Sequence, residues 1–353
     1  MAERSNAFDY LPAALRTLVP EMETLAWPEE HHADCAHCPM IDGRFGSWGF
    51  HASTRWCTAQ PSLANFLAGR ALRRGGGPRE KILARLQDPE GVTAWGIDPQ
   101  PAVAERYDET MAEQFGRDDE MRCPYWAGGE HTCGIWQDRG ALCRTWYCKH
   151  EDGLAGAVAW SRMHAVMSEV EHRLAMWVLD RGRPPREPAT PAQWAAWFEQ
   201  AAALVDAATE EDLAPLATPA LAKHRREVAG FVQIRINRRK PLPDVLVPSV
   251  SEMTREGDDV LLTGYSSFDA VRAPAGVFEL LARLDGTRTW REALDETRAL
   301  LAARGDATRW LDEAFVRELH RVMALRDPGG GDDLPYSVEM ADQTRWSRAR
   351  AKP

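Results

Sequence analysis

The sequence predicts a mostly α-helical protein with cysteine-rich, metal-binding loops in its N-terminal part and a small α+β, winged-helix-like domain at its C-terminus. Three observations support this fold class. All seven cysteines lie between Cys35 and Cys148. Apolar side chains then recur at helical spacing over long stretches. After about residue 248 the pattern changes to two short strand-like runs followed by three helical segments.

Length and composition restrict the class of protein. A chain of 353 residues predicts two or three domains. Its 44% hydrophobic and 27% charged residues are typical of globular proteins and argue against disorder or a membrane protein. The net charge of −10, with no concentrated basic stretch, argues against a nucleic-acid partner. Because no secretory segment or membrane-spanning apolar run is evident, we expect a cytoplasmic protein with no membrane partner.

The N-terminal part contains three predicted short helices, over residues 61–72, 78–86 and 99–115. Gly75–Gly77 ends the first, and Asp98 and Pro99 begin the third with a cap and a first-turn proline. Loops rich in Gly, Trp and Cys separate these helices. A longer helix over 156–179 follows, because an apolar stripe there has spacings of three and four: Trp160, Met163, Met167, Val170, Leu174 and Trp177.

Two further helices are predicted before the C-terminal domain. Thr190 and Gln193 form a capping-box pattern at the start of the first, and the second covers residues 219–236. The strands 260–264 and 268–272 then flank a turn, and helices follow from Pro274, from Thr289 and around Leu319. We therefore divide the chain into a cysteine-cluster domain with a long closing helix (1–182), a helical connector (183–242), a winged-helix-like domain (243–327) and a flexible tail (328–353).

The cysteine spacing indicates metal binding. Cys35 and Cys38 form a Cys-x2-Cys pair, the tightest spacing at which two thiolates can face one ion. Cys57 follows, and a second group lies in Gly-rich loops: Cys123, Cys133, Cys143 and Cys148. We predict all seven as ligands of a metal or cofactor. Two alternatives remain open: buried cysteines that act as small apolar residues, and disulfides, which a reducing compartment disfavours.

Two histidines near these cysteines are candidate auxiliary ligands or proton donors, and therefore candidate catalytic residues. His37 lies between Cys35 and Cys38, and His131 precedes Cys133. Imidazole could replace a missing thiolate or hold a separate iron ion. The alternative for each is a solvated polar position.

The second cysteine group resembles the YkgJ-type cysteine-cluster family, described as a putative zinc- or iron-chelating domain. The resemblance covers about residues 30–180 and rests on Arg122-Cys123-Pro-Tyr-Trp126, Cys133-Gly-Ile-Trp136, Arg139 and Cys143-Arg-Thr-Trp146-Tyr-Cys148-Lys-His150. Cys35-Ala-His-Cys38 and Arg55-Trp-Cys57 resemble the family more loosely, and Trp56 stands where relatives often have another cysteine. The resemblance implies a metal or iron–sulphur site and no particular reaction.

The kind of metal centre stays open at this point. Four thiolates suit a zinc ion or an iron–sulphur cluster such as a [4Fe-4S] cluster, and a mononuclear iron is a further alternative. A structural zinc ion contributes folding free energy to small domains that cannot fold without it. A chain of this size does not need that contribution, which slightly favours a functional cluster. Seven thiolates also exceed the four that one closed site needs, so some of them have another role or form a second site.

The C-terminal segment resembles PqqD-like domains, which are winged-helix peptide-recognition elements of ribosomal peptide maturation. The resemblance rests on Val260-Leu-Leu, Phe268, Phe278-Glu-Leu-Leu-Ala-Arg-Leu-Asp-Gly286 with Thr289, and Phe315-Val-Arg-Glu-Leu319. It implies a peptide or protein partner that adds to an exposed strand edge. We expect that edge within residues 260–273.

Together these observations favour an iron or iron–sulphur oxidoreductase that modifies a peptide or protein docked on the C-terminal domain. Two non-enzymatic alternatives remain. One is a metal or redox sensor whose centre changes contacts with a partner, and the other is a zinc-stapled adaptor.

Overall fold

The computed structural model describes residues 8–27, 30, 40–41, 50–51, 53–54, 58–128, 133–238 and 241–329. Several predicted site residues lie outside the described residues, namely Cys35, Cys38, Cys57, His37 and His131. The predicted tail also lies outside them from residue 330 onwards.

Helices predominate among the described residues, and the strands form small antiparallel sheets, so the protein is a mixed α and β structure with much helix. Helices α1 to α10 span Ala13–Leu18, Glu21–Thr24, Asn65–Arg74, Gly76–Leu86, Pro101–Gln114, Ala141–Thr145, Gly153–Arg181, Pro191–Asp206, Glu210–Leu213 and Pro219–Arg238. Strands β1 to β3 form a three-stranded sheet in the order β1-β3-β2, at Leu63–Ala64, Val92–Thr93 and Gly96–Ile97.

The first hydrophobic core lies among these helices. The apolar stripe of α7 is buried in it, as its spacing predicts, with Trp160, Met163 and Met167 each at most 2% exposed. Helix α8 packs on α3, and the helix backbones are so close that a Cβ at Gly69 would lie 1.7 Å from the Phe198 carbonyl oxygen. Helices α8 and α10, which the sequence assigns to a connector, thus belong to the same core as the helices before them.

The C-terminal part has its own hydrophobic core, formed by residues from Leu246 to Leu325. Strands β4 to β8 are Val247–Pro248, Glu252–Glu256, Asp259–Thr263, Val271–Pro274 and Leu325–Arg326, and helices α11 to α13 are Val277–Arg283, Trp290–Arg304 and Glu313–Arg321. Strand β4 pairs with β8, and the other three form an antiparallel sheet in the order β5-β6-β7. The sequence missed β5, so the domain has a three-stranded sheet where two strands were expected.

The capping boxes expected from the sequence are present at two helices. The Thr190 and Gln193 side chains cap α8, and those of Thr289 and Glu292 cap α12. Each box satisfies main-chain N–H groups that a helix N-terminus would otherwise leave unpaired. None of the helices in the described part of the chain combines the length and apolar character needed to cross a membrane.

Candidate metal centre

Two cysteine turns face each other at the edge of the first core. The Trp126 N–H donates to the Cys123 carbonyl at 3.0 Å and closes the first turn. Trp126 and Cys133 form an isolated antiparallel bridge, and the Gly134 N–H donates to the Tyr125 carbonyl at 2.7 Å. A Cβ at Gly134 would lie only 3.0 Å from that carbonyl oxygen, so this close approach favours glycine. The bridge holds Cys123 and Cys133 side by side.

Helix α6 supplies a third cysteine, Cys143. The helix begins after Gly140, and its first N–H, from Ala141, donates to the Glu171 carboxylate of α7 at 3.1 Å. This hydrogen bond anchors the short helix on the long one. The side chain of Cys143 consequently lies with those of Cys123 and Cys133.

The three cysteines line one small cavity. Its volume is about 20 Å³, which is room for about one water-sized sphere. The remaining wall is made by Ala59, Pro61, Tyr125, Ile135, Arg139 and Gly140. Four cysteines are described in total, and none of them is in a disulfide.

The chemistry of the three thiols reflects their burial. Burial raises the pKa of Cys123, Cys133 and Cys143, in the last case to about 12. Their mutual repulsion adds to this at Cys123 and Cys143, whereas the Arg139 charge lowers the pKa of Cys133 and Cys143. With no cation between them, the thiols are therefore protonated and neutral at physiological pH.

Main-chain N–H groups face two of the sulfurs. The N–H of Tyr125 donates to Cys123, and the N–H of Ile135 donates to Cys133. In both turns the donor is two residues after the cysteine. Such donors stabilise a thiolate and recur around metal-bound sulfur, so both turns have the same thiolate-stabilising arrangement.

Cys148 lies in a different environment. It packs in an aromatic cluster with Phe50, Phe115, Trp146 and Phe268, of which Phe268 belongs to the C-terminal domain. Of the four described cysteines, the structure thus brings three together and places the fourth between the two hydrophobic cores.

The residues after Cys148 enter a buried polar network with the C-terminal domain. Lys149 forms an ion pair with Asp269 at 3.2 Å, and His150 Nδ1 lies 3.3 Å from the Tyr265 hydroxyl, which donates to Asp269 at 2.5 Å. Burial lowers the pKa of His150 to about 4, so its ring is neutral at physiological pH. We call residues 146–150 the linking segment, because five residues connect the end of α6 to this network.

Gly153 brings the two parts of the chain into backbone contact. It begins α7 with a φ of 55°, in the left-handed region, and a Cβ there would lie 1.7 Å from the Arg321 carbonyl oxygen. Arg321 also donates to the His150 carbonyl at 2.6 Å. Both contacts fix the linking segment against α13.

The predicted docking edge, within residues 260–273, is a sheet edge only in part, because only its last residues lie in the edge strand β7. Residues 260–263 lie in β6, which pairs with β5 on one side and β7 on the other, so its backbone groups are already used. The two edges of this sheet are β5 and β7. Strand β5 is the more exposed, and its Met253 is 54% exposed.

The donor set suits a thiolate-ligated metal, although the sulfurs are not yet at ligand distances. Within the described residues, no three Cys, His, Asp or Glu side chains are arranged to hold a metal ion as they stand. Three thiols and two N–H donors around one small cavity are nevertheless groups that such a centre uses. The sequence marked Arg139 only as part of the family resemblance and gave it no role at the site, although it lies between two predicted ligands.

The comparisons with known proteins give no relative for this chain. No protein-family model matches it, no curated protein matches it and no solved structure matches it.

Proposed function

We propose that this chain is a thiolate-ligated iron or iron–sulphur protein that performs redox modification of a peptide or protein docked on its C-terminal domain. The observation that supports the metal centre best is the shared cavity of Cys123, Cys133 and Cys143. These residues lie within 20 positions of one another in the sequence, and main-chain N–H groups donate to two of their sulfurs, which would stabilise metal-bound thiolates.

A fourth ligand would complete the centre, and Cys57 is the candidate. Ala59 forms part of the cavity wall, and Cys57 precedes it by two residues. Cys35 and Cys38 would then be available for a second site, while Cys148 packs in the aromatic cluster.

The residues around the cavity would prepare the thiols for a cation. Burial keeps them protonated in the metal-free protein, so binding of a cation would release protons. Tyr125 and Ile135 would stabilise the resulting thiolates through their N–H groups and exclude water with their side chains. An iron centre bound here would supply one-electron chemistry that protein side chains do not provide.

Strand β5 would hold the peptide. Its outer edge is free of a partner strand within the described residues, and its side chains are exposed. A peptide could extend the sheet through main-chain hydrogen bonds, with Met253 offering an apolar contact. The resemblance of this domain to PqqD-like domains supports the same partner class.

A non-enzymatic metalloprotein is the second candidate, either a zinc-stapled adaptor or a metal sensor. The small cavity volume, about 20 Å³, favours a single ion over a cluster. The linking segment favours a sensor, because it connects Cys143 to the buried network around Asp269. Loss of metal could thereby alter the contact between the cysteine region and the C-terminal domain.

Metal analysis of the full-length protein tests these candidates. The chain is purified without oxygen, and its iron, zinc and acid-labile sulfide are measured beside its absorption spectrum. Iron with sulfide or thiolate charge-transfer absorption supports the iron proposal. Stoichiometric zinc in a colourless protein supports the second candidate, and the absence of bound metal after supply of both ions contradicts both.

A further inference from the structure

Arg139 is a buried cation in the wall of the cysteine cavity. The residue is 6% exposed. Its Nε donates to the Trp136 carbonyl and its Nη1 to the Cys143 carbonyl, each at 3.0 Å. The guanidinium carbon also lies 3.4 Å from the centre of the Trp136 ring. These contacts fix the charge beside Cys133 and Cys143.

Arg139 forms no ion pair with a carboxylate among the described residues; the nearby buried Glu171 carboxylate accepts from the Ala141 N–H instead. The described partners of Arg139 are two carbonyl oxygens and an indole ring. Carbonyls satisfy the N–H groups but carry no full negative charge. Arg139 lines the same cavity as Cys133 and Cys143, so its guanidinium would face a centre that these cysteines hold.

We propose that Arg139 is the counter-cation of a thiolate-bound metal centre and thereby favours the metal-loaded state. This inference rests on the proposed metal function. Three thiolates around a dication leave one net negative charge, and a fourth thiolate leaves two. A guanidinium fixed beside two of the sulfurs offsets this negative charge, because water cannot screen the charge in the protein interior. The site is therefore selective for an anionic, thiolate-rich centre.

Arg139 acts through the thiolates and is a positioning residue. Groups that orient and balance metal ligands in this way contribute about 10- to 100-fold to metal affinity. Arg144 is a poorer choice for a test, because its guanidinium donates to the carbonyls of Asp9, Gln137 and Arg139 and ties three segments together.

The test is a Co²⁺ titration of full-length, metal-free protein. Binding is monitored by thiolate-to-cobalt charge-transfer absorption, and the affinity is measured by competition with a chelator. The variants are Arg139→Gln, which removes the charge, and Arg139→Lys, which keeps it but loses the planar guanidinium. Arg85→Gln is the matched control, because Arg85 is also a buried arginine that donates to main-chain carbonyls, those of Asp88, Glu90 and Asp98.

We expect Arg139→Gln to weaken Co²⁺ binding about 10- to 100-fold, with Arg139→Lys and Arg85→Gln close to the wild-type protein. Equal affinity of Arg139→Gln and wild type overturns the inference and leaves the proposed metal function standing. Equal losses in Arg139→Gln and Arg139→Lys overturn the role of charge. A wild-type protein that binds no Co²⁺ through thiolate contradicts the proposed function itself.

Discussion

Arg321 donates two hydrogen bonds to the Asp269 carboxylate, each at 2.7 Å, across a junction that also contains Lys149 and Tyr265. Asp269 is only 1% exposed. Burial would raise its pKa, but the hydrogen bonds and charge of Arg321 hold the pKa well below its usual range. One carboxylate thus balances two cations from different parts of the chain.

We expect Asp269→Asn to lower the free energy of unfolding by about 3 to 5 kcal/mol, because it leaves Arg321 and Lys149 without their buried anion. Because the folded-state pKa is lowered, the stabilisation from this carboxylate is present above the unfolded pKa, near 4, and is lost as the pH falls. Urea unfolding of both proteins at pH 7 measures the difference.

Glu318→Gln is the control for that substitution. Glu318 also pairs with Arg321, at 2.7 Å, but its side chain is 35% exposed. Its removal should cost less than about 1 kcal/mol. Similar costs for the two variants would show that the junction gains nothing from burial of Asp269.

We expect Cys123→Ser, Cys133→Ser and Cys143→Ser each to lower the bound metal per chain, because each removes one thiolate from the shared cavity. Cys148→Ser is the matched control and should retain the wild-type metal content, since Cys148 packs in the aromatic cluster instead. Elemental analysis of proteins purified in parallel gives the answer. Metal loss in Cys148→Ser alone would point to a centre at the junction and away from the cavity.

We expect Gly134→Ala to destabilise the protein by about 1 to 3 kcal/mol, because a new methyl group would lie 2.9 Å from the Lys81 side chain and 3.0 Å from the Tyr125 carbonyl oxygen. The two cysteine turns must then move apart. Gly77→Ala has open space around the added methyl group and should be neutral or stabilising. Thermal unfolding of the two variants tests the pair, and an unchanged melting temperature in Gly134→Ala would contradict the close packing.

We expect Glu30 to make stability depend on pH. Burial raises its pKa from 4.5 to about 7, and its oxygens accept from the Trp160 indole N–H and the Glu151 N–H. The folded state therefore binds the proton more tightly, so this contribution is complete below about pH 4.5 and is lost as the pH rises through 7. The loss is on the order of 3 kcal/mol.

The measurement compares Glu30→Gln with the wild-type protein by urea unfolding from pH 5 to pH 8. His150 titrates with the opposite sign below pH 6.5, so only the difference between the two proteins isolates Glu30. That difference should move in favour of the variant as the pH rises. A difference that stays constant would show that Glu30 has an ordinary pKa.

Local patterns in the sequence predicted the longer helices, but the short helices α1, α2, α6 and α9 were missed, and Cys143 lies in α6 where a Gly-rich loop was expected. Capping boxes at Thr190 and Thr289 and the apolar stripe of α7 depend on residues three or four apart, and the structure contains all of them. Strand β5 was missed because it lacks such a local pattern. Its residues Glu252–Glu256 are mostly exposed and include no run of apolar side chains, so no buried face marks them as a strand.

The candidate site was predictable only in part. Spacing and glycine content identified the second cysteine group, but spacing does not tell which sulfurs share a cavity. Cys148 follows Cys143 by five residues and yet packs in the aromatic cluster that also contains Phe268, because the chain leaves α6 and turns towards the C-terminal domain. The role of Asp269 depends on Lys149, which lies 120 residues away in the sequence. The partners of Arg139 are only three and four residues away, but no spacing rule marks an arginine that donates to main-chain carbonyls.

The crowding at Gly153 offers a way to separate the two halves of the molecule without altering any charge. A single added methyl group at this position would act as a wedge between the start of α7 and the Arg321 carbonyl. The cysteine cavity and the β5 edge would keep their own residues, while the junction between them would be forced open. A Gly153→Ala variant would show whether the cysteine cavity and the β5 edge function together or independently of each other.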